Sequence, residues 1–128
     1  MKQTILLVDD QPALRALVAL ELQRMGYNVV TAADGPETMQ QLEEIPLSLV
    51  ILDLLLPEVD GLELLELIKQ KQPEMPVIIL TGAGYNDDAM AEALARGADG
   101  YVSKGLSISH LVMEIHRVLG PGRQKEMV

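Results

Sequence analysis

Five short, mostly apolar runs, Thr4 to Val8, Asn28 to Ala32, Leu49 to Leu52, Val77 to Leu80 and Gly100 to Val102, alternate with longer stretches of helical period. Runs of this length with little polar interruption read as strands buried on both faces, and the stretches between them as helices that cross over the sheet. The pattern predicts an α/β domain with a buried parallel sheet of five strands and five helices. The first helix begins after Asp10, with Pro12 in its first turn, where a missing N–H costs nothing. Its stripe of Leu14, Leu17, Val18, Leu22 and Met25 is expected to face the sheet, and Gly26 to stop it. The second helix is predicted to start at Pro36, the third to follow Gly61 with Leu62, Leu65 and Ile68 inward, and the fourth to span about 86–96. In the fifth, Ser107 is the expected N-cap; Ile108, Leu111, Val112, Ile115, Val118 and Leu119 keep the helical spacing, and Gly120-Pro121 ends it. Residues 1–121 thus form the domain, and residues 122–128 a tail or the start of a linker.

In an open α/β sheet the ligand crevice lies beyond the carboxyl ends of the strands. Asp9 and Asp10 follow the first strand, Asp53 the third, Thr81 the fourth and Lys104 the fifth. Three carboxylates gathered at one sheet edge repel one another, which makes sense when a divalent cation occupies the gap. Oxygen ligands without Cys or His nearby in sequence suit Mg2+ rather than zinc. A hydroxyl and an ammonium at the same point would hold the oxygens of a phosphoryl group, with one carboxylate as nucleophile.

Composition narrows the function. The chain has 128 residues, 48% of them hydrophobic, enough for one core, and without Phe or Trp that core must be aliphatic. Without cysteine there is neither a disulfide nor a thiolate metal site. A net charge of -9 disfavours direct nucleic-acid binding, which depends on Lys and Arg. No apolar run approaches the roughly 20 residues of a membrane span, and no signal peptide's apolar region opens the chain, so a soluble, cytoplasmic protein is expected. His110 and His116 are six positions apart on one helix, about 240° around its axis, so they cannot share a ligand.

The residues Asp9-Asp10, Asp53 with Leu54-Leu55-Leu56-Pro57-Glu58-Val59-Asp60-Gly61, Thr81-Gly82-Ala83 and Tyr101-Val102-Ser103-Lys104 together resemble the receiver domain of bacterial two-component response regulators. The resemblance covers essentially the whole chain. It implies a flavodoxin-like, doubly wound sheet in the order 2-1-3-4-5, with Asp53 as phosphoacceptor. Asp10, Asp53 and the Leu55 carbonyl would ligate Mg2+, with Asp9 holding the ion through water. Thr81 and Lys104 would each contact a phosphoryl oxygen, beside backbone N–H groups of Leu54 and Gly82 or Ala83, while Thr81 and Tyr101 would form the switch. The implied donor is a sensor histidine kinase or phosphotransfer protein. The implied output is a downstream effector protein or domain, reached through the surface of helix four, strand five and helix five, where activated receivers also form homodimers. Such a chain is a self-phosphorylating switch with slow autodephosphorylation, not a turnover enzyme.

Three positions depart from the family pattern. Gly105 stands where a cis proline usually follows the lysine, and a trans bond is expected there. Leu55 and Ala83 bring no polar group to a hydrolytic water. Gly105 also motivates a second reading, a pseudo-receiver that signals through protein contacts without phosphate. Two other chemistries fit less well: a haloacid dehalogenase-type phosphatase spaces its two acids differently, and Asp9-Asp10 would repel the phosphate of a flavin mononucleotide.

Overall fold

The structure, a computed structural model, describes residues 2–56, 59–82, 87–104 and 108–119. Strands β1 (Thr4–Val8), β2 (Asn28–Ala32), β3 (Leu49–Leu52), β6 (Val77–Thr81) and β7 (Gly100–Ser103) form one sheet. Every pairing in it is parallel, and the spatial order is β2-β1-β3-β6-β7. With the two short strands β4 (Leu55–Leu56) and β5 (Val59–Asp60) left aside, this is the expected 2-1-3-4-5 order. Helices α1 (Pro12–Arg24), α2 (Gly35–Glu44), α3 (Gly61–Lys71), α4 (Asp87–Ala95) and α5 (Ile108–Leu119) complete the doubly wound α/β fold.

Because successive side chains of a strand point to opposite faces, the sheet separates two apolar clusters. Ile5 and Leu7 pack with Val18 and Leu22 of α1 and Leu111 and Ile115 of α5. Leu6 and Val8 point the other way, into a cluster with Leu42 of α2, Leu64 and Leu65 of α3 and Ala93 of α4. Both sheet faces are therefore dry, which explains why the strand sequences do not alternate with polar residues.

Local chemistry sets the helix ends. Gly26 and Gly97 take φ of 100° and 115°, a left-handed conformation that L side chains rarely adopt, and each reverses the chain after a helix. The Asp34 carboxylate accepts from Glu37 N at 2.9 Å, which starts α2 one residue before Pro36. The Asp60 carboxylate accepts from Leu62 N at 2.9 Å and caps α3.

Two features depart from the sequence-based expectation. In α1, Val18 and Leu22 are buried and Leu14 is half-buried, but Leu17 and Met25 are about half exposed, at 56% and 48%. Leu17 is rotated about 100° from Val18, to the rim of the sheet-facing stripe, and Met25 is already the C-cap residue. The second is a two-residue antiparallel ribbon, β4 with β5, between Asp53 and α3. Gly61 sits so close to this segment that a Cβ there would collide with the Leu54 backbone. The expectations for Pro57, Glu58, Ala83, the Lys104–Gly105 bond, the Ser107 cap, Gly120-Pro121 and the tail 122–128 lie outside the described residues.

Candidate functional site

Strand register brings the acids together. Val8 pairs with Leu52, so Asp9 and Asp53 leave adjacent strands at the same level, and Asp53 N donates to Val8 O at 3.0 Å. Asp10 follows directly, and one carboxylate oxygen from each of Asp9, Asp10 and Asp53 lies within 4.8 Å of the others. Asp9 and Asp53 are buried, whereas Asp10 is exposed. On the other side of β3, Thr81 closes β6 fully buried, in register with Ser103 of β7. Lys104 N then donates to Thr81 O at 2.9 Å, which anchors the lysine's backbone at the same sheet edge.

From there the Lys104 side chain reaches across the sheet end. Its Nζ donates to Asp53 Oδ2 at 2.8 Å and lies 3.1 Å from Asp9 Oδ2. Burial alone would pull the lysine pKa down, but the hydrogen bonds and charges of Asp53 and Asp9 outweigh it and leave the value above the usual 10.5. The expected three-way repulsion is thus partly neutralised by a fourth residue of the set. The remaining oxygen of Asp53 accepts from Leu55 N at 3.0 Å, an arrangement fixed by the tight turn into β4. The Leu55 side chain itself is exposed and apolar.

The loop between β1 and α1 is held just as firmly. Asp9 Oδ1 accepts from Gln11 N at 2.9 Å, and its backbone carbonyl accepts from Arg15 Nη1 at 2.7 Å. Among the described residues, the Asp10 carboxylate accepts no hydrogen bond. Its open oxygens, beside two buried carboxylates, form the all-oxygen donor set that a hard divalent cation such as Mg2+ prefers, so the residues present fit that ion.

Tyr101, on β7, is buried with the α3 and α4 side chains. At the start of the same strand, Arg117 of α5 donates to Asp99 O at 2.6 Å and pairs with Glu114 at 2.5 Å, and this partner holds the Glu114 carboxyl below its ordinary range. Between α1 and α5, a groove of about 320 Å3 lined by Leu14, Leu17, Val18 and Leu111 opens beside Lys104. His110 is exposed on α5.

Among the described residues, Asp9, Asp10, Asp53, Thr81 and Lys104 therefore sit at one sheet edge, and Tyr101 lies on β7. Sequence reasoning missed Arg15 and the contact role of Gly61. A trace of Arg15 was present, since it is the one charged residue in the stretch Ala13 to Leu20.

Fold and site together define an open α/β domain with an acid and lysine cluster at the carboxyl edge of its sheet. A sequence profile of the response regulator receiver domain matches residues 5–116, and the chain belongs to that family. It is 34% identical over 116 residues to the probable transcriptional regulatory protein TcrX of Mycobacterium tuberculosis, covering 91% of this chain and 49% of that protein. The chain spans no more than about half the length of such curated relatives. Among solved structures, a CheY-like receiver domain protein from Methanospirillum hungatei superposes with a TM-score of 0.87 at 31% identity, covering 98% of this chain and 99% of its own. TrrA of Thermotoga maritima, solved in complex with Mg(2+)-BeF, gives a TM-score of 0.80 at 34% identity, covering 91% and 98%.

Proposed function

We propose that the chain is a phosphoacceptor switch in which Asp53 takes a phosphoryl group from a histidine kinase or phosphotransfer protein. An Asp53 carboxylate oxygen attacks phosphorus, the bond to the donor's histidine nitrogen breaks, and an acyl phosphate forms. Water later cleaves it, returning the carboxylate and inorganic phosphate. One observation carries the reading: Asp53, buried, is oriented by Leu55 N–H and Lys104 at the point where three carboxylates meet.

Asp10, Asp53 and the Leu55 carbonyl are the residues that would hold Mg2+, with Asp9 contributing through water. The bound ion would supply positive charge against the phosphoryl oxygens. Lys104 already points its ammonium at the acceptor carboxylate, and on phosphorylation it would donate to a phosphoryl oxygen instead. The Thr81 hydroxyl would take another oxygen, and the space it leaves would favour a new packing of Tyr101. The surface of α4, β7 and α5 would thereby change its affinity for an effector or for a second copy of the chain.

The groove between α1 and α5 would offer the phosphodonor protein an apolar seat beside Lys104, the residue that pairs with Asp53. Because all the acids and the lysine are present, phosphorylation is favoured over a purely phosphate-free signal. The chain is a switch that undergoes one cycle per phosphodonor encounter, not a turnover enzyme. Among the described residues, no helix is long and apolar enough to cross a membrane.

Intact-mass measurement after incubation with acetyl phosphate tests the proposal. A single phosphoryl adduct is expected with Mg2+, lost with EDTA and absent from Asp53→Asn. An adduct formed equally fast by Asp53→Asn would remove Asp53 from the nucleophile role.

A further inference from the structure

We infer that Arg15 is a positioning residue for the metal-binding loop, setting the direction in which Asp10 presents its carboxylate. This rests on the reading that Asp10 and Asp53 hold Mg2+.

The two neighbouring acids Asp9 and Asp10 are held very differently. Asp9 is fixed at every polar point: its N–H donates to Ala32 O at 3.1 Å, its two carboxylate oxygens meet Gln11 N and Lys104, and its carbonyl meets Arg15. Asp10 is exposed and has no such bond among the described residues. A side chain with no anchor of its own can be oriented only through the backbone that carries it.

That backbone is the peptide unit joining Asp9 to Asp10, which is planar, so fixing its carbonyl fixes the plane from which the Asp10 Cα departs. The Arg15 Nη1 bond to Asp9 O, at 2.7 Å, does this. Arg15 can act as a brace because it belongs to a rigid element, its own N–H donating to Gln11 O at 2.9 Å within the first turn of α1. The helix thus holds the loop through a side chain, in the way that outer-shell partners orient metal ligands elsewhere.

The guanidinium charge acts in the opposite direction. A fixed cation near the carboxylates repels an incoming Mg2+, so charge alone predicts tighter Mg2+ binding when Arg15 is removed. Positioning predicts weaker binding. The two effects therefore have opposite signs in one measurement.

The experiment is a Mg2+ titration of the full chain, followed by the amide resonances of Asp10 and Asp53 in two-dimensional NMR, for wild type, Arg15→Ala and Arg15→Lys. Arg15→Ala is expected to weaken Mg2+ binding about tenfold, the lower end of the range for lost outer-shell partners. Its Asp10 amide should broaden in the metal-free state. Arg15→Lys keeps a donor able to reach the carbonyl and should recover most of the affinity. Unchanged or tighter binding by Arg15→Ala overturns the inference, as does an Arg15→Lys protein as weak as Arg15→Ala. A wild type that shows no Mg2+ response would remove the metal site itself, and the inference with it, before any variant is compared. If Arg15→Ala fails to fold, Arg15→Gln replaces it with the same expected direction.

Discussion

Lys104 Nζ lies 2.8 Å from Asp53 Oδ2, so the carboxylate proposed as phosphoacceptor is already paired with a cation. The same ammonium is shared with Asp9, and both acids are almost wholly buried. This sharing decides how the site responds to substitution.

Removing the lysine should be severe. Lys104→Met leaves two buried carboxylates side by side without a cation, and breaking such a buried pair costs about 3 kcal/mol. The melting temperature in EDTA should fall accordingly, and millimolar Mg2+ should restore more of it than it adds to wild type. A thermal scan of both proteins, with and without Mg2+ at matched ionic strength, checks this. Equal stability in EDTA would mean that Lys104 does not hold the acids together.

Asp10→Asn should act in the reverse direction. Its carboxylate is exposed and makes no hydrogen bond among the described residues, so neutralising it relieves repulsion and removes no partner. The metal-free protein should gain stability, by less than about 1 kcal/mol because the group is solvated. Mg2+ affinity should drop in the same variant. Stability lost together with unchanged Mg2+ binding would place Asp10 outside the cluster.

Alkaline pH probes the lysine directly. Its folded pKa is raised above the usual 10.5, so its contribution to stability is complete below that value and is lost only as pH rises through the higher folded value. The unfolding free-energy difference between wild type and Lys104→Met should therefore stay flat from about pH 7 to about pH 10 and shrink only beyond. Chemical denaturation across that range makes the comparison. A difference that fades below pH 9 would contradict the pairing.

Gly61 packs against the backbone that follows Asp53. In Gly61→Ala the added Cβ meets the Leu54 backbone, which cannot move without carrying Asp53 and the Leu55 N–H with it. Overpacking of this kind costs about 1–3 kcal/mol. Slower phosphorylation at saturating Mg2+ should accompany the loss of stability. Wild-type rates in a stably folded Gly61→Ala would show that the ribbon does not support Asp53.

Much of this architecture could be read from the chain. The first three strands match their expected limits, because runs buried on both faces end sharply where a polar residue appears. The acids and the lysine were legible because strand ends of a parallel sheet share one edge. The limits of the sheet-facing stripe of α1 were not, since apolar residues cover several of its faces and spacing alone does not say that Leu17 and Met25 fall outside it. Nor was the ribbon at Leu55–Leu56 and Val59–Asp60, as two-residue strands have no period to detect. The sharing of Lys104 between Asp9 and Asp53 depends on the register of β7 against β6 and on the reach of one side chain. Residue order carries neither.

The strand order also has a bearing on how the chain matures. β7, which brings Lys104, forms one edge of the sheet and, among the described residues, pairs only with β6, whereas Asp9 and Asp53 leave the adjacent inner strands β1 and β3. A chain that has joined β1 to β3 but not yet docked β7 holds two acids together with nothing to offset them. Partly assembled forms thus carry an electrostatic penalty that docking of Lys104 lessens, so the charges at the sheet edge also discourage the molecule from lingering half built.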